Sequence, residues 1–287
     1  MYIQEMFERK MNSRQIFLFF YFLLPAFLTV SCKSISTEKY FLKTSLFAPQ
    51  TGITIVLISD LHSTIHGKDQ NILTGMIKEI KPDIIALTGD IFDDVFPDKG
   101  TLMLLSGISD IAPVFYVTGN HEYMRKDKDT FKNELLSFGV TVLSDAYALT
   151  EINGNKIILA GIEDPYIAKE RRGYDQNAVM KTLFRKLDNI PLYKILLAHR
   201  PENIDEYSKY SFDLVLSGHT HGGQVRIPGI MDGLYAPHQG LFPKYSGGIY
   251  SHGSLTHIIS RGLSVYPFLP RIFNPPELVV IRIEADD

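Results

Sequence analysis

Residues Ile53–His62 read ITIVLISDLH. The run from Ile53 to Ser59 is mostly β-branched and aliphatic, the composition of a strand covered on both faces. It stops at Asp60-Leu61-His62, two side chains of metal-ligand type flanking a leucine. The same grammar recurs along the chain. Ile84–Thr88 runs into Gly89-Asp90, Val114–Thr118 into Gly119-Asn120-His121, Tyr193–Leu197 into Ala198-His199-Arg200, and Leu214–Leu216 leads to Gly218-His219-Thr220-His221. Helical spacing fills the intervals: Ile72, Leu73, Met76, Ile77 and Ile80 before Pro82, then Leu102, Leu105 and Ile108, then Phe131, Leu135, Leu136 and Phe138, then Leu183 and Leu187 within 176–188. Shorter strands are expected at 140–143, 157–160, 256–260 and 278–283. Strand–helix alternation predicts a layered α/β core with mostly parallel strands, whose carboxyl ends converge on one edge.

A single cluster would carry little weight. Gly-Asp and Gly-Asn are ordinary turn pairs, and a lone histidine after a strand is more often a core or capping residue than a ligand. Five clusters in order, all at strand ends, make that reading improbable. They hold two Asp, one Asn and five of the chain's nine His. This donor mixture suits Mn, Fe, Zn or Co rather than a thiolate-loving metal or an all-oxygen calcium cage. Asp60 and His62 can turn towards one ion once the chain leaves the sheet. Asp90 has two oxygens and can bridge two ions, while His219 and His221, flanking Thr220, can serve neighbouring ones. Gly89, Gly119 and Gly218 permit tight turns beside the site.

Composition sets the bounds. The 287 residues are 45% hydrophobic and 21% charged, ordinary for a globular chain with a sizeable core. A net charge of −3 gives no basic excess for a phosphate backbone, so no nucleic-acid partner is expected. The N-terminus differs in kind. Ile16–Val30, IFLFFYFLLPAFLTV, follows Arg9, Lys10 and Arg14 and is shorter than the roughly 20 residues of a spanning helix. It fits an export signal or a membrane anchor with its basic flank in the cytoplasm and the remainder outside. Met11 is an alternative start. Ser13-Arg14-Gln15-Ile16-Phe17-Leu18 is similar to a twin-arginine signal, but Gln15 stands where the second Arg belongs. The single cysteine, Cys32, closes Leu28-Thr29-Val30-Ser31-Cys32, which resembles a bacterial lipoprotein cleavage site. Cys32 is then either lipidated or an incidental thiol. The expected organisation is 1–31 as export signal or anchor, 32–50 as a tether with a short edge strand, and 51–287 as one catalytic domain.

Asp60-x-His62, Gly89-Asp90, Gly119-Asn120-His121-Glu122, His199 and Gly218-His219-x-His221 together resemble the calcineurin-like metallophosphoesterases. Gly218–Pro228 (GHTHGGQVRIP), Phe242-Pro243-Lys244-Tyr245, Ser260-Arg261-Gly262 and Arg271–Glu277 (RIFNPPE) are similar to the membrane-associated bacterial branch of that family. The resemblance runs from about Ile53 to Ile283. It implies an α-β-β-α sandwich of two mixed sheets with a two-ion site at the strand carboxyl edge. It assigns Asp60, His62, Asp90 and His221 to one metal, and Asp90, Asn120, His199 and His219 to the other. His121 is implied to be no ligand but an acid facing the leaving oxygen, with Asp93 orienting it. The implied reaction is phosphoester hydrolysis by a hydroxide between two divalent ions.

Arg200 and Arg226 neighbour ligands and would suit a bidentate grip on phosphate; pairing with surface carboxylates is the equal alternative. Family branch and apolar N-terminus point to a phosphodiester or phosphomonoester on an envelope or lipid-linked molecule. Two other readings stay open. One is a pyrophosphatase of a UDP-diacylglucosamine-type lipid A precursor, which needs a cytoplasmic active site. The other is a metal-binding scaffold without catalysis, against which the intact ligand set and His121 weigh.

Overall fold

The computed structural model describes residues 34–127, 130–266 and 270–286. The expected signal segment and Cys32 lie outside them. The first sheet has the order β1 (Ser36–Thr44), β14 (Glu277–Ala285), β2 (Gly52–Ile58), β3 (Ile84–Thr88), β4 (Val114–Val117) and β5 (Thr141–Val142). All its pairings are parallel except β14 with β2. The second has the order β12 (Gly248–His252), β13 (Leu255–Ile259), β9 (Leu214–Ser217), β8 (Tyr193–Leu197), β7 (Asn155–Gly161) and β6 (Ala146–Ile152), antiparallel only at its two edge pairs.

Strand periodicity builds the layers. In β2, Ile53, Ile55 and Leu57 join Ile157, Leu159, Ile195, Leu197, Leu214 and Leu216 in a core between the sheets. The alternate Val56 and Ile58 face outward, where Leu73 and Ile77 of α1 (Asn71–Ile80), Leu104, Leu105 and Ile108 of α2 (Lys99–Ile108), and Phe131 and Leu135 cover them. On the far side, Met180 and Phe184 of a later helix and Ile204 and Tyr207 pack on Ile158, Leu196 and Val215. The result is helix, sheet, sheet, helix. Helix α1 ends where the sequence stops it, with Lys81 left-handed at φ 53° just before Pro82. The remaining helices are α3 (Asn120–Met124), α4 (Phe131–Ser137), α5 (Gln176–Phe184) and α6 (Ile204–Tyr207), and a small hairpin joins β10 (Tyr235–Ala236) to β11 (Gly240–Leu241).

The expected tether needs correcting. Ser36–Thr44 pairs along its whole length with β14 and places Tyr40 and Leu42 against the inter-sheet core, so it is a full strand of the domain. An edge strand was expected in this segment but a short one, because its exposed face, Thr37, Lys39, Phe41 and Lys43, is mostly polar. No helix among the described residues is long and apolar enough to cross a membrane.

Candidate metal centre

Strands β2, β3 and β4 of one sheet and β8 and β9 of the other end on the same rim, and their loops carry the donor residues. The chain turns there by entering the left-handed region. Asp60 (φ 49°), His62 (φ 47°), Asp90 (φ 51°), His219 (φ 72°) and His221 (φ 48°) all have positive φ. Such a conformation costs a non-glycine residue about 1 kcal/mol or more, and clusters of it mark functional sites. Two glycines are demanded by close approach. A Cβ on Gly119 would collide with Asp90 Oδ1, and one on Gly218 with Asp60 Oδ2.

The donors fall into two adjacent groups. Asp60, His62 and His221 place one ligand atom each within 4.8 Å of one another, and so do Asp90, His199 and His219. Asp90 Oδ2 lies between the groups, 3.1 Å from His199 Nε2 and 3.7 Å from His62 Nε2. His221 Nε2 is 3.6 Å from Asp60 Oδ1. The His219 amide donates to both Asp60 oxygens at 3.0 Å, tying the groups together. All six are buried or nearly so. His121 sits at the mouth, its ring edge-on to His62 at 4.5 Å and its side chain 27% exposed.

Neighbouring groups fix each donor's orientation. His62 Nδ1 bonds Asp93 Oδ2 at 3.0 Å, leaving Nε2 buried without a hydrogen-bond partner among the described residues. His199 Nδ1 donates to the Thr88 carbonyl at 2.7 Å, which aims Nε2 at Asp90. His221 Nδ1 bonds Ser264 Oγ at 3.0 Å. Glu122, fully buried, accepts the amides of Asp90 (3.0 Å), Ile91 (2.8 Å), Phe92 (3.1 Å) and Gly119 (2.8 Å). That carboxylate locks the β3 and β4 loops in register and so positions Asp90. Partnering the second nitrogen of a ligand histidine is the usual way a protein sets its tautomer.

One expected role changes, and the two arginines take the carboxylate-pairing alternative. Asp93 serves His62, and Tyr266 OH also donates to it at 2.8 Å; the partner of His121 is Asp94, whose Oδ1 is 2.6 Å from Nδ1. Arg200 is not free for substrate. It is buried and forks onto Asp164, with Nε at 2.6 Å and Nη2 at 3.0 Å. Arg226 turns away to Asp232 at 3.2 Å. The arginines answer to local carboxylates that adjacency in sequence does not reveal.

The sequence reading left out His238, which the β10–β11 hairpin lays over the rim. Its ring stacks on His219 at 5.3 Å, and its Nδ1 is 3.1 Å from His219 Nε2. Proton positions follow by elimination. His199 donates through Nδ1 to a carbonyl and presents Nε2 to a carboxylate, so His219 Nδ1, 3.1 Å from that Nε2, carries no proton. A neutral His219 then bears its proton on Nε2, donating to His238 Nδ1. Arg200 Nη1, which can only donate, stands 2.9 Å from the same Nδ1 and 3.0 Å from Nε2. A small-residue hairpin containing Pro237-His238-Gln239 after the last cluster was the only sequence signal for this.

Electrostatics agree with a cation between the groups. Burial would raise the Asp90 carboxyl, yet His199, His121 and His62 hold it well below the usual range. Asp60 is pushed up by burial despite His199. Burial opposes charge on His199, but Asp90 outweighs it and lifts the imidazole to about 10. Burial, then neighbouring cations, keep His219 and His221 well below the normal range, so both present lone pairs. The charge that His199 shares with Asp90 is one a metal ion can replace. His121 is raised: burial works against this, and Asp90 and Asp94 prevail. Asn120 Oδ1 adds to the fit, being buried with no hydrogen-bond partner among the described residues. Two carboxylates, one amide oxygen and four imidazoles form a donor set suited to divalent transition metals.

A family model described as calcineurin-like phosphoesterase matches residues 53–223. The chain is 31% identical over 261 residues to a Bacillus subtilis (strain 168) protein named uncharacterized metallophosphoesterase YkuE, covering 88% of this chain and 86% of that one. It is 31% identical over 278 residues to an uncharacterized metallophosphoesterase of Aquifex aeolicus (strain VF5), covering 92% of this chain and 97% of the relative. Among solved structures, the NAD nucleotidase NadN of Haemophilus influenzae aligns with a TM-score of 0.51 over 74% of this chain and 45% of that one. At 16% identity that likeness concerns the fold.

Proposed function

The chain belongs to the calcineurin-like phosphoesterases and is a metal-dependent phosphoester hydrolase; from that premise we propose that it works with two divalent ions on a phosphodiester or phosphomonoester of an envelope or lipid-linked molecule. The observation that carries the reading is the pair of donor groups meeting at Asp90, with His121 beside them. Asp60, His62, Asp90 and His221 would hold one ion, and Asp90, Asn120, His199 and His219 the other. When bound, such ions polarise phosphoryl oxygens and supply a nucleophile from water near neutral pH.

The protein's own groups do the rest. Asp90 sets the separation of the two groups, and Glu122 keeps Asp90 in place through four amides. His121 Nδ1 is committed to Asp94, which leaves Nε2 to give its proton to the leaving oxygen. The half-open position of His121 puts that proton where a substrate enters. Two features support a substrate at the membrane: the apolar run of residues 16–30 and the resemblance of the GHTHGGQ segment to membrane-associated relatives. Under this reading the chain is held at the membrane through its N-terminal segment or a lipidated Cys32, with the domain outside the cytoplasm.

The test is a substrate panel. Protein reconstituted with Mn, Fe, Zn or Co is assayed on a nitrophenyl phosphomonoester, a bis-nitrophenyl phosphodiester and a nucleotide-diphospho-lipid. Turnover of either ester is expected. Turnover of the diphospho-lipid alone would replace the reading with a pyrophosphatase, and inactivity with both ions bound would replace it with a scaffold.

A further inference from the structure

The course of the first strand decides which way the site faces. Strand β14 runs antiparallel to β2, and β1 runs parallel to β14. Strand β1 therefore starts on the metal-site edge and ends on the opposite one. The contacts are direct. Ser36 pairs with Glu277, the Glu277 amide donates to Gly262 O at 3.0 Å, and a Cβ on Gly262 would touch Asp60 Cβ at 2.6 Å. The chain thus enters the domain beside the first metal ligand. Residues 31–35 separate that point from the apolar run ending at Val30, a span of about 20 Å at full extension.

The same edge is apolar at its surface. Leu241 is 66% exposed, Ile230 62%, Tyr235 52% and Phe273 51%. Their loops form one hydrogen-bonded cluster: Arg226 N bonds Ile272 O, Leu234 N bonds Gly223 O, and Phe242 N bonds Leu234 O. Asn274 Nδ2 ties the cluster to the His221 carbonyl at 2.7 Å. Val95, 77% exposed, adds to the rim from the loop that carries Asp93 and Asp94. Exposed apolar residues gathered on one side of a site mark an interaction surface.

We propose that this rim is a membrane-docking surface, and that the lipid bilayer from which the N-terminal segment emerges is its occupant. The short connection keeps the rim within reach of that bilayer. Residues 16–30 are too few for an ordinary spanning helix, which takes about 20. Weak single anchors gain stable attachment from a second apolar contact, and the loop side chains supply one. Docking in this orientation opens the metal centre onto the lipid headgroups. The inference rests on the membrane-substrate reading above and adds the geometry by which the substrate arrives.

The chain has no tryptophan, so a single introduced one reports its own surroundings. Full-length Leu241→Trp, Ile230→Trp and, at the opposite edge just past β1, Leu46→Trp are bound to phosphatidylglycerol–phosphatidylethanolamine vesicles with and without brominated acyl chains. Blue-shifted emission and bromine quenching are expected at 241 and 230 and not at 46. Emission at 241 and 230 unchanged from that in buffer overturns the surface, as does a failure of the full chain to bind the vesicles. A blue shift without bromine quenching assigns the rim to a second copy of the chain and overturns it too. Turnover of a lipid-linked phosphodiester in the same vesicles is scored separately. Quenching without that turnover keeps the surface and removes the substrate reading; turnover without quenching does the reverse.

Discussion

The two sheets bring different chemistry to the common rim. The first supplies Asp60, His62, Asp90, Asn120 and His121, and braces them with carboxylates: Glu122 under Asp90, Asp93 behind His62 and Asp94 behind His121. The second supplies the imidazoles His199, His219 and His221, braced by the Thr88 carbonyl of β3, a fourth imidazole and a hydroxyl. Neither sheet completes either of these two donor groups alone. Asp60 and His62 need His221 from across the rim, and Asp90 needs His199 and His219. The site is a property of the sandwich, formed when the inter-sheet core closes. Asp90 Oδ2 faces an imidazole nitrogen of each group, His62 Nε2 and His199 Nε2, so removing it should break the comparison most severely. Asp90→Ala is expected to lose both metals and reduce activity to background. Elemental analysis of the purified variant checks this, and one retained ion would show that the groups stand independently.

His121 belongs to the first rim by sequence but to neither donor group by role. His121→Ala should keep full metal content while turnover falls at least about 10²-fold, the low end for a positioned acid. Kinetics on reconstituted protein together with metal analysis separate the two effects. Loss of metal alongside activity would make His121 a ligand and enlarge the first rim's share.

The second sheet should also carry an acid sensitivity of its own, away from the donor groups. His257 on β13 is fully buried, with Nε2 3.0 Å from Ser217 Oγ and rings of His252 (5.9 Å), Tyr245 (6.0 Å) and Tyr250 (6.4 Å) around it. Burial, then His252, pushes it from 6.5 down to about 3. The folded state therefore refuses a proton that the unfolded chain accepts. The stability that His257 contributes is complete above pH 6.5 and declines as pH falls towards 3, by about 2 kcal/mol at pH 5. Denaturant unfolding at pH 7 and pH 5 should show a loss in the native chain about 2 kcal/mol larger than in His257→Gln, where the other buried histidines still titrate. An equal pH dependence in both proteins would remove His257 as its source.

How far the sequence could be read follows from the same division. The buried strands were legible because both faces are apolar, and their ends because the ligand types cluster there. Helix α1 was legible through its spacing and Pro82. Edge strands β6 and β12 were hard to see, and β1 was read too short, because they alternate exposed and covered residues; the Asn153-Gly154 turn that joins β6 to β7 was the overlooked signal. Donor residues could be named from local motifs. Their braces could not, since Asp164 meets Arg200 across 36 positions and Ser264 meets His221 across 43. Asp93 and Asp94 show the limit most sharply: adjacent in sequence, they point to different histidines, and only the loop's backbone decides which.

The smallest expected effect tests how the second rim is braced. In the first rim a carboxylate fixes the tautomer of His62, whereas in the second a neutral imidazole, His238, does so for His219. Arg200, anchored on Asp164, steadies His238 from the other side. An imidazole acceptor is weaker than a carboxylate and sits on an exposed hairpin, so its removal should loosen metal binding without abolishing it. Loss of such a partner typically costs 10–100-fold in affinity, and the low end, about 10-fold, is expected here. Calorimetric titration of metal-free His238→Ala should show that weakening, and His238→Gln, whose amide oxygen can accept the same proton, should recover most of it. If His238→Ala binds metal as tightly as the native chain, His219 holds its tautomer unaided and the two rims differ only in their ligands. If alanine and glutamine weaken binding equally, the hairpin acts by packing, and the proton on His219 Nε2 needs no acceptor.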